Sequence, residues 1–141
     1  MKTRTILPLL AACVAMAACT STEEKITKAA YEYSYAMANY NVDGAERYAT
    51  PETRETTLIT ARQLLLMVDS NYIKSDTPAT IEIRHIQIID DTSAVATYHK
   101  NTPIKDFSGT LNMRKRGHRW LAHSPNPTRP ATLADSTATA E

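Results

Sequence analysis

The stretch TIEIRHIQIIDDTSAVATYHK, residues 80–100, decides the fold. Five isoleucines crowd between Thr80 and Ile89, and such density of β-branched side chains reads as a strand. Ile81 and Ile83 share one face of a period-two strand, while Ile86 and Ile88 fall on the other. That parity switch near His85 predicts either a β-bulge or a strand buried on both sides. Asp90-Asp91 turns the chain into a second strand, Ala94 to Lys100. Asn101-Thr102-Pro103 turns it again into Asp106 to Arg116, where Phe107, Gly109, Leu111 and Met113 alternate. Arg116-Gly117 predicts a tight hairpin, with glycine supplying a positive φ. The last strand, His118 to His123, carries Trp120.

Upstream of this meander the period is helical. Between Glu23 and Asn41, the residues Ile26, Ala30, Tyr33, Met37 and Tyr40 form one apolar stripe. Asn41-Val42-Asp43-Gly44 breaks that helix, and Ala45 to Ala49 forms a short second one carrying Tyr48. Thr50 reads as an N-cap, with Pro51 at the first helical position and Glu52 in the first turn. A third helix runs to about Val68 and buries Leu58, Ala61, Leu65 and either Ile59 or Leu66. Asp69 to Pro78 reads as a polar link. Helices followed by strands give an α+β domain, with three N-terminal helices packed on an antiparallel sheet of about four strands.

The N-terminus addresses location. Lys2 and Arg4 precede an apolar run, Ile6 to Ala18, broken only by Pro8. It is shorter than the about twenty residues a membrane-spanning helix needs, so it reads as a signal peptide. Met16-Ala17-Ala18-Cys19 resembles a bacterial lipobox. Leu10-Ala11-Ala12-Cys13 matches that consensus better, but a cut there leaves an apolar run of only Ile6 to Ala12. Cys19 is therefore the expected lipidation site, with Cys13 discarded and no free thiol left in the mature chain. Several acyl chains on one residue hold a protein stably at a membrane. The implied boundaries are a signal peptide at 1–18, a lipidated tether at 19–23, the domain at 24–123 and a tail at 124–141. The tail is rich in Pro, Thr, Ala and Ser, with Leu133 its only large apolar residue, and is expected to be disordered. Glu23-Glu24 fits two roles. Just after a lipid-bearing cysteine it resembles a surface-sorting signal, and at a helix start it complements the macrodipole. The expected location is the cell envelope, lipid-anchored at the outer membrane of a Gram-negative bacterium.

Removing Lys2 and Arg4 from the 16 basic residues leaves the mature chain one short of its 15 acidic ones. That balance argues against nucleic acid as a partner. Three glycines, Gly44, Gly109 and Gly117, build no phosphate loop. No nucleophile elbow, HExxH or calcium-loop spacing is present, so no catalytic residue, metal ligand or cofactor is assigned. His85, His99 and His123 fall on separate strands and read as half-exposed strand residues; His118 belongs to the hairpin. Asp69, Asp106 and His99 are the ionisable groups nearest to any interior site. Tyr33, Met37, Tyr48, Tyr98 and Trp120 either line an apolar ligand cavity or form the core. Tyr31 and Tyr35 lie one turn apart, off the stripe, where they suit a contact face for another protein. Arg114, Lys115, Arg116 and Arg119 form a basic patch. It is suited to lipid head groups, an anionic glycan or an acidic partner, or is simply a solvated hairpin tip.

These pieces resemble a known group. Asp43, Ala45 and Tyr48 in NYNVDGAERYATPETR echo a "gD-x-x-x-A-x-x-y" turn. Asp91-Thr92-Ser93-Ala94 echoes a "gDtA-x-V" strand start with one extra residue. Gly117-His118-Arg119-Trp120 echoes a terminal "dGkW" hairpin, with Arg116 in place of the acid. Over about Glu23 to His123 the chain is similar to small bacterial lipoproteins with a nuclear transport factor 2-like domain. The resemblance implies a strongly curved sheet wrapped around the helices as a cone. Related folds include ketosteroid isomerase and scytalone dehydratase as well as non-catalytic binding and dimerising modules, so fold alone does not give function. The expected role is a non-enzymatic interaction or accessory module of the envelope. Its partners would be the membrane, through the lipid, and an envelope protein, with a homodimer also open. The alternative is a cone that binds a small apolar ligand, with isomerase- or dehydratase-like chemistry.

Overall fold

The computed structural model describes residues 20–125. The expected signal peptide, Cys19 and the chain beyond Pro125 lie outside them. Helix α1 (Thr22–Ala38) opens with a capping box: the Ser21 hydroxyl accepts from the Glu24 N–H at 3.1 Å, and the Glu24 carboxylate accepts from the Ser21 N–H at 3.2 Å. Two otherwise orphaned N–H groups are thus satisfied, an effect of about 1 kcal/mol. Residues 21–23, read from the sequence as tether, are the cap and first turn of this helix.

The helix stops at Ala38, two residues before the last member of its predicted stripe. Tyr40 adopts φ 60°, a left-handed conformation that no helix continues through. Asn39 fixes the break, because its side-chain amide accepts from the Ala79 N–H at 2.9 Å and donates to the Ala79 carbonyl at 3.1 Å. The short α2 (Val42–Glu46) follows, capped by Asn41.

Thr50 caps the third helical run as its sequence predicts, with Pro51 at the first position. That run consists of α3 (Pro51–Thr53), a π-helical turn (Arg54–Leu58) and α4 (Ile59–Leu65). Leu58 is buried, and Ala61 and Leu65 pack against the core. Ile59 and Leu66, one of which was expected inside, are both exposed. The physical reason is reach, since α4 makes no substantial contact with any strand. The polar link is not irregular throughout: it contains α5 (Ser70–Ser75), capped by the Asp69 carboxylate accepting from the Asn71 N–H at 2.6 Å.

Strands β1 (Thr80–Asp90), β2 (Ser93–Asn101), β3 (Asp106–Arg116) and β4 (Arg119–Ala122) form one antiparallel meander in chain order. The register settles the parity question raised by the isoleucines. Ile83 faces Tyr98 and His85 faces Thr97, so Arg84 is an extra, bulged residue. Ile86 then faces Ala96, which brings Ile83 and Ile86 onto the same side as Tyr98 and Ala96. At the last hairpin, Arg116 pairs with Arg119, and Gly117 takes φ 61° in the two-residue loop.

Helix α1 lies on this face. Small residues permit the approach: Ala29, Ala30 and Ala36 on the helix, and Ala94 and Ala96 on β2, are all buried. Around them Ile26, Tyr33, Leu58, Met113 and Trp120 complete the core. Full burial of each large side chain contributes about 1.5–3 kcal/mol. The helical half is stitched to β4 by backbone bonds, Ala122 N–H to the Tyr48 carbonyl at 2.7 Å and Thr50 N–H to the Ala122 carbonyl at 2.9 Å. Ser124, read as the first tail residue, still belongs to this seam: its N–H donates to the Thr53 hydroxyl at 2.8 Å, and its carbonyl accepts from Thr57.

Candidate functional site

The residues proposed to line a cavity gather in the core. Tyr33 and Trp120 are each 5 % exposed, and Met37, Tyr48 and Tyr98 pack against them. Burial, with help from the nearby Tyr98, pushes the Tyr33 phenol up to about 12, and burial raises that of Tyr98 as well. Tyr48 also borders an open depression beside Tyr35, Asn41 and Arg47. The concave side is thus occupied by side chains where these residues stand. Towards the start of β3 the filling thins. Phe107 tilts against Tyr98 with ring centroids 6.2 Å apart, and half of Phe107 is exposed. Gly109 makes that meeting possible, since a Cβ there would lie 2.8 Å from Phe107 and 3.0 Å from the Tyr98 hydroxyl oxygen.

A buried charge sits near this end of the sheet, and it is none of the expected groups. Asp69 is occupied as the cap of α5. Asp106 lies at the surface, accepting from Asn101 and 3.4 Å from His99 Nε2; His99 Nδ1 is 3.0 Å from the Ser108 hydroxyl. The buried carboxylate is Asp76, which is fully inaccessible. The Tyr40 and Thr102 hydroxyls each donate to it at 2.7 Å, one to each oxygen. Lys105 and Lys100 place Nζ atoms 3.6 Å and 3.7 Å away. Lys105 also donates to the Tyr72 hydroxyl at 3.0 Å and lies 5.6 Å from the centre of that ring.

Burial alone would raise the Asp76 carboxyl, but the two hydroxyl donors and two ammonium groups together hold it below its ordinary value. Tyr40 responds in the opposite sense: burial and the Asp76 hydrogen bond raise its phenol. The left-handed turn at Tyr40 is what allows its hydroxyl to meet a carboxylate 36 positions away. With both oxygens engaged, Asp76 is held as a fixed anion that ties together the end of α1, the end of α5 and the β2–β3 loop. Its arrangement suits a structural charge better than a proton-transferring base, which must offer a free lone pair to its substrate.

Two exposed apolar features stand apart from this centre. Tyr31 and Tyr35 stack on the outer face of α1, ring centroids 5.7 Å apart and nearly parallel. At the end of the long helical run, Leu66 is 88 % and Met67 75 % exposed, with Leu64 and Ile59 about half exposed nearby. This end is held in place by Arg62, which donates to Asp43 at 2.9 Å and to Glu46 at 2.7 Å. Leu65 and Leu66 share a depression with Tyr40, Asn41 and Val42, directly after the C-terminus of α1.

The basic run is divided in its duties. Arg116 pairs with Glu52 at 2.9 Å, Arg114 donates to the Ser93 hydroxyl at 2.7 Å, and Arg119 donates to the Arg47 carbonyl at 2.6 Å. Lys115 has no side-chain partner among the described residues. His85 is exposed at the bulge, and among the described residues no three metal-ligating side chains converge.

Sequence reasoning missed Asp76, Tyr40, Thr102 and the two lysines as a unit. Ser75-Asp76-Thr77-Pro78 carries only the signal of a turn.

No protein-family model matches the sequence, and no curated protein does. Solved structures do share its fold. A nuclear transport factor 2-like protein of unknown function from Shewanella oneidensis is 14 % identical, with a TM-score of 0.52 over 73 % of this chain and 98 % of its own. A Campylobacter jejuni protein, provisionally named an NTF2-like transpeptidase, is 14 % identical, with a TM-score of 0.54 over 74 % of this chain and 99 % of its own. The helices packed on a four-stranded antiparallel sheet are thus the nuclear transport factor 2-like cone fold.

Proposed function

We propose that this chain is a lipid-anchored envelope protein that works as a non-enzymatic interaction module. The observation that carries the reading is the apolar end of the long helical run. Leu66 and Met67 are consecutive and almost wholly solvent-exposed on an element braced by the Arg62 ion pairs. Exposing such a patch costs solubility, and apolar patches of this kind mark contact sites. The filled concave side and the fully engaged Asp76 weigh against a cone built for chemistry. The transpeptidase name of the Campylobacter protein adds no residue to this reading, because the likeness is one of fold.

Anchoring through Cys19 fits the start of the domain. Cys19 precedes the α1 N-cap by two residues, a span of at most about 7 Å. The apolar end adjoins the opposite terminus of α1, a helix about 25 Å long. Lipid and contact surface therefore occupy opposite ends of one rigid element.

Two substitutions test the reading. Cys19→Ala is expected to move the protein from the membrane to the soluble fraction; continued membrane association would overturn the anchor. A photo-crosslinking residue at Leu66, in the full chain in intact cells, is expected to give a discrete adduct that the same residue at Gln87 does not. Equal adducts at both positions, or none, would overturn the contact surface.

A further inference from the structure

One concave feature is not used by that reading. Glu52, Thr92, Arg114, Lys115, Arg116 and His123 line an open depression of about 590 Å³ between the β1–β2 turn, the end of β3 and the start of α3. Its walls are tied by main-chain bonds. The Lys115 N–H donates to the Thr92 carbonyl at 2.8 Å, and the His123 N–H donates to the Asn112 carbonyl at 2.8 Å. Arg114 and Arg116 share one face of β3 and border the recess with Glu52, while strand alternation puts the Lys115 side chain on the opposite face with its pair Trp120. Each arginine spends part of its fork on a protein partner and keeps other N–H groups free. His123 Nδ1 is engaged with the Thr50 hydroxyl at 3.0 Å, which leaves Nε2 as the ring nitrogen open to a ligand.

We propose that this depression binds a phosphate-class dianion, held by the free N–H groups of Arg114 and Arg116, with His123 beside it. Planar guanidinium forks suit the oxygens of such a ligand. The inference is independent of the anchor and of the apolar helix end. His123 adds a pH signature. Burial, then Arg114, and Arg116 hold its imidazole below the ordinary value, against an opposing pull from Glu52. Asp90 lines the adjoining recess that His123 also borders. A bound dianion reverses the balance and favours the imidazolium, so binding takes up a proton and tightens as pH falls.

Calorimetric titration of the full chain in detergent tests this, using sulfate as the probe because its charge stays constant from pH 5 to 8. Sulfate is expected to bind more tightly at pH 5.5 than at pH 7.5, and His123→Gln to abolish that difference. Arg114→Ala should weaken binding about ten-fold, the effect of one lost charge-assisted hydrogen bond. Lys74→Ala, in α5, should leave it unchanged. Glycerol phosphate and dioctanoyl phosphatidic acid then separate the sources. Equal affinity assigns the site to free phosphate esters, and a preference for the lipid assigns it to phosphate head groups. Absence of binding at millimolar sulfate, or equal losses in Lys74→Ala and Arg114→Ala, would overturn the site.

Discussion

Asp76 shows how much one residue holds. Replacing one of its carboxylate oxygens by an amide nitrogen leaves two ammonium groups without their anion and one hydroxyl without its acceptor. Asp76→Asn is expected to cost about 3 kcal/mol at neutral pH, the scale for breaking a buried ion pair. The pH dependence has a definite sign. The folded carboxyl lies below the unfolded value of about 3.9. Its stabilisation is therefore complete above that value and disappears as pH falls through the folded one. Urea unfolding of both proteins at pH 7 and pH 3 checks this: the gap between them should narrow at pH 3. Trp120→Ala tests the core in the same assay and should cost about 3–5 kcal/mol, because the ring is almost fully buried. A near-neutral result would place the ring outside the core. Trp120 was legible as a core candidate, whereas Asp76 was not. Its partners Tyr40 and Thr102 lie 36 and 26 positions away, and no local pattern announces an ion assembled from such distances.

At the scale of elements, the bulge in β1 is the feature the sequence states most openly. Ile81, Ile83, Ile86 and Ile88 cannot share a face of a regular strand, and one extra residue at Arg84 reconciles Ile83 with Ile86. Deleting Arg84 removes the extra residue and leaves Ile83 and Ile86 two positions apart, on one face of a regular strand. The expected result is a sharp, cooperative thermal transition by circular dichroism, retained close to the wild-type temperature. Loss of that sharp transition would show that β1 needs the bend the bulge supplies. The helices were legible where a stripe or a cap marked them, as at Ile26 to Met37 and at Thr50. Helix α5 was not, because Ser-Asn-Tyr-Ile-Lys-Ser is too short to show a period. The end of α1 was overrun for a related reason: Tyr40 stands at helical spacing from Met37, but its backbone turns left-handed so that its hydroxyl can reach Asp76.

For the whole molecule, the concave side bears on what the protein carries. With Tyr33, Leu58, Met113 and Trp120 filling it, native mass spectrometry of the full chain released from detergent should show the acylated mass without a further small-molecule adduct. A constant adduct would instead indicate an occupied cone and favour the ligand-binding alternative. The apolar helix end makes a second prediction at this scale. Leu66→Ser with Met67→Ser should shift stability by no more than about 0.5 kcal/mol, because both side chains lie at the surface. With the photo-crosslinking residue moved from Leu66 to Ile59, which is also exposed, the same pair should remove the adduct.

The meander also has an unguarded flank. Among the described residues no strand pairs with the outer edge of β1, eleven residues long. Such an edge is a template for another chain to extend, and growth of that kind ends in aggregates. Here the extra residue at Arg84 throws the two halves of the edge out of step. An incoming strand in register with Ile81 and Ile83 misses the bonding groups beyond the bulge. Glu82, Arg84, His85 and Gln87 stand exposed along the same length and would crowd polar and charged groups into any such seam. The irregularity that seats an isoleucine in the core thereby works as a stop signal for sheet growth.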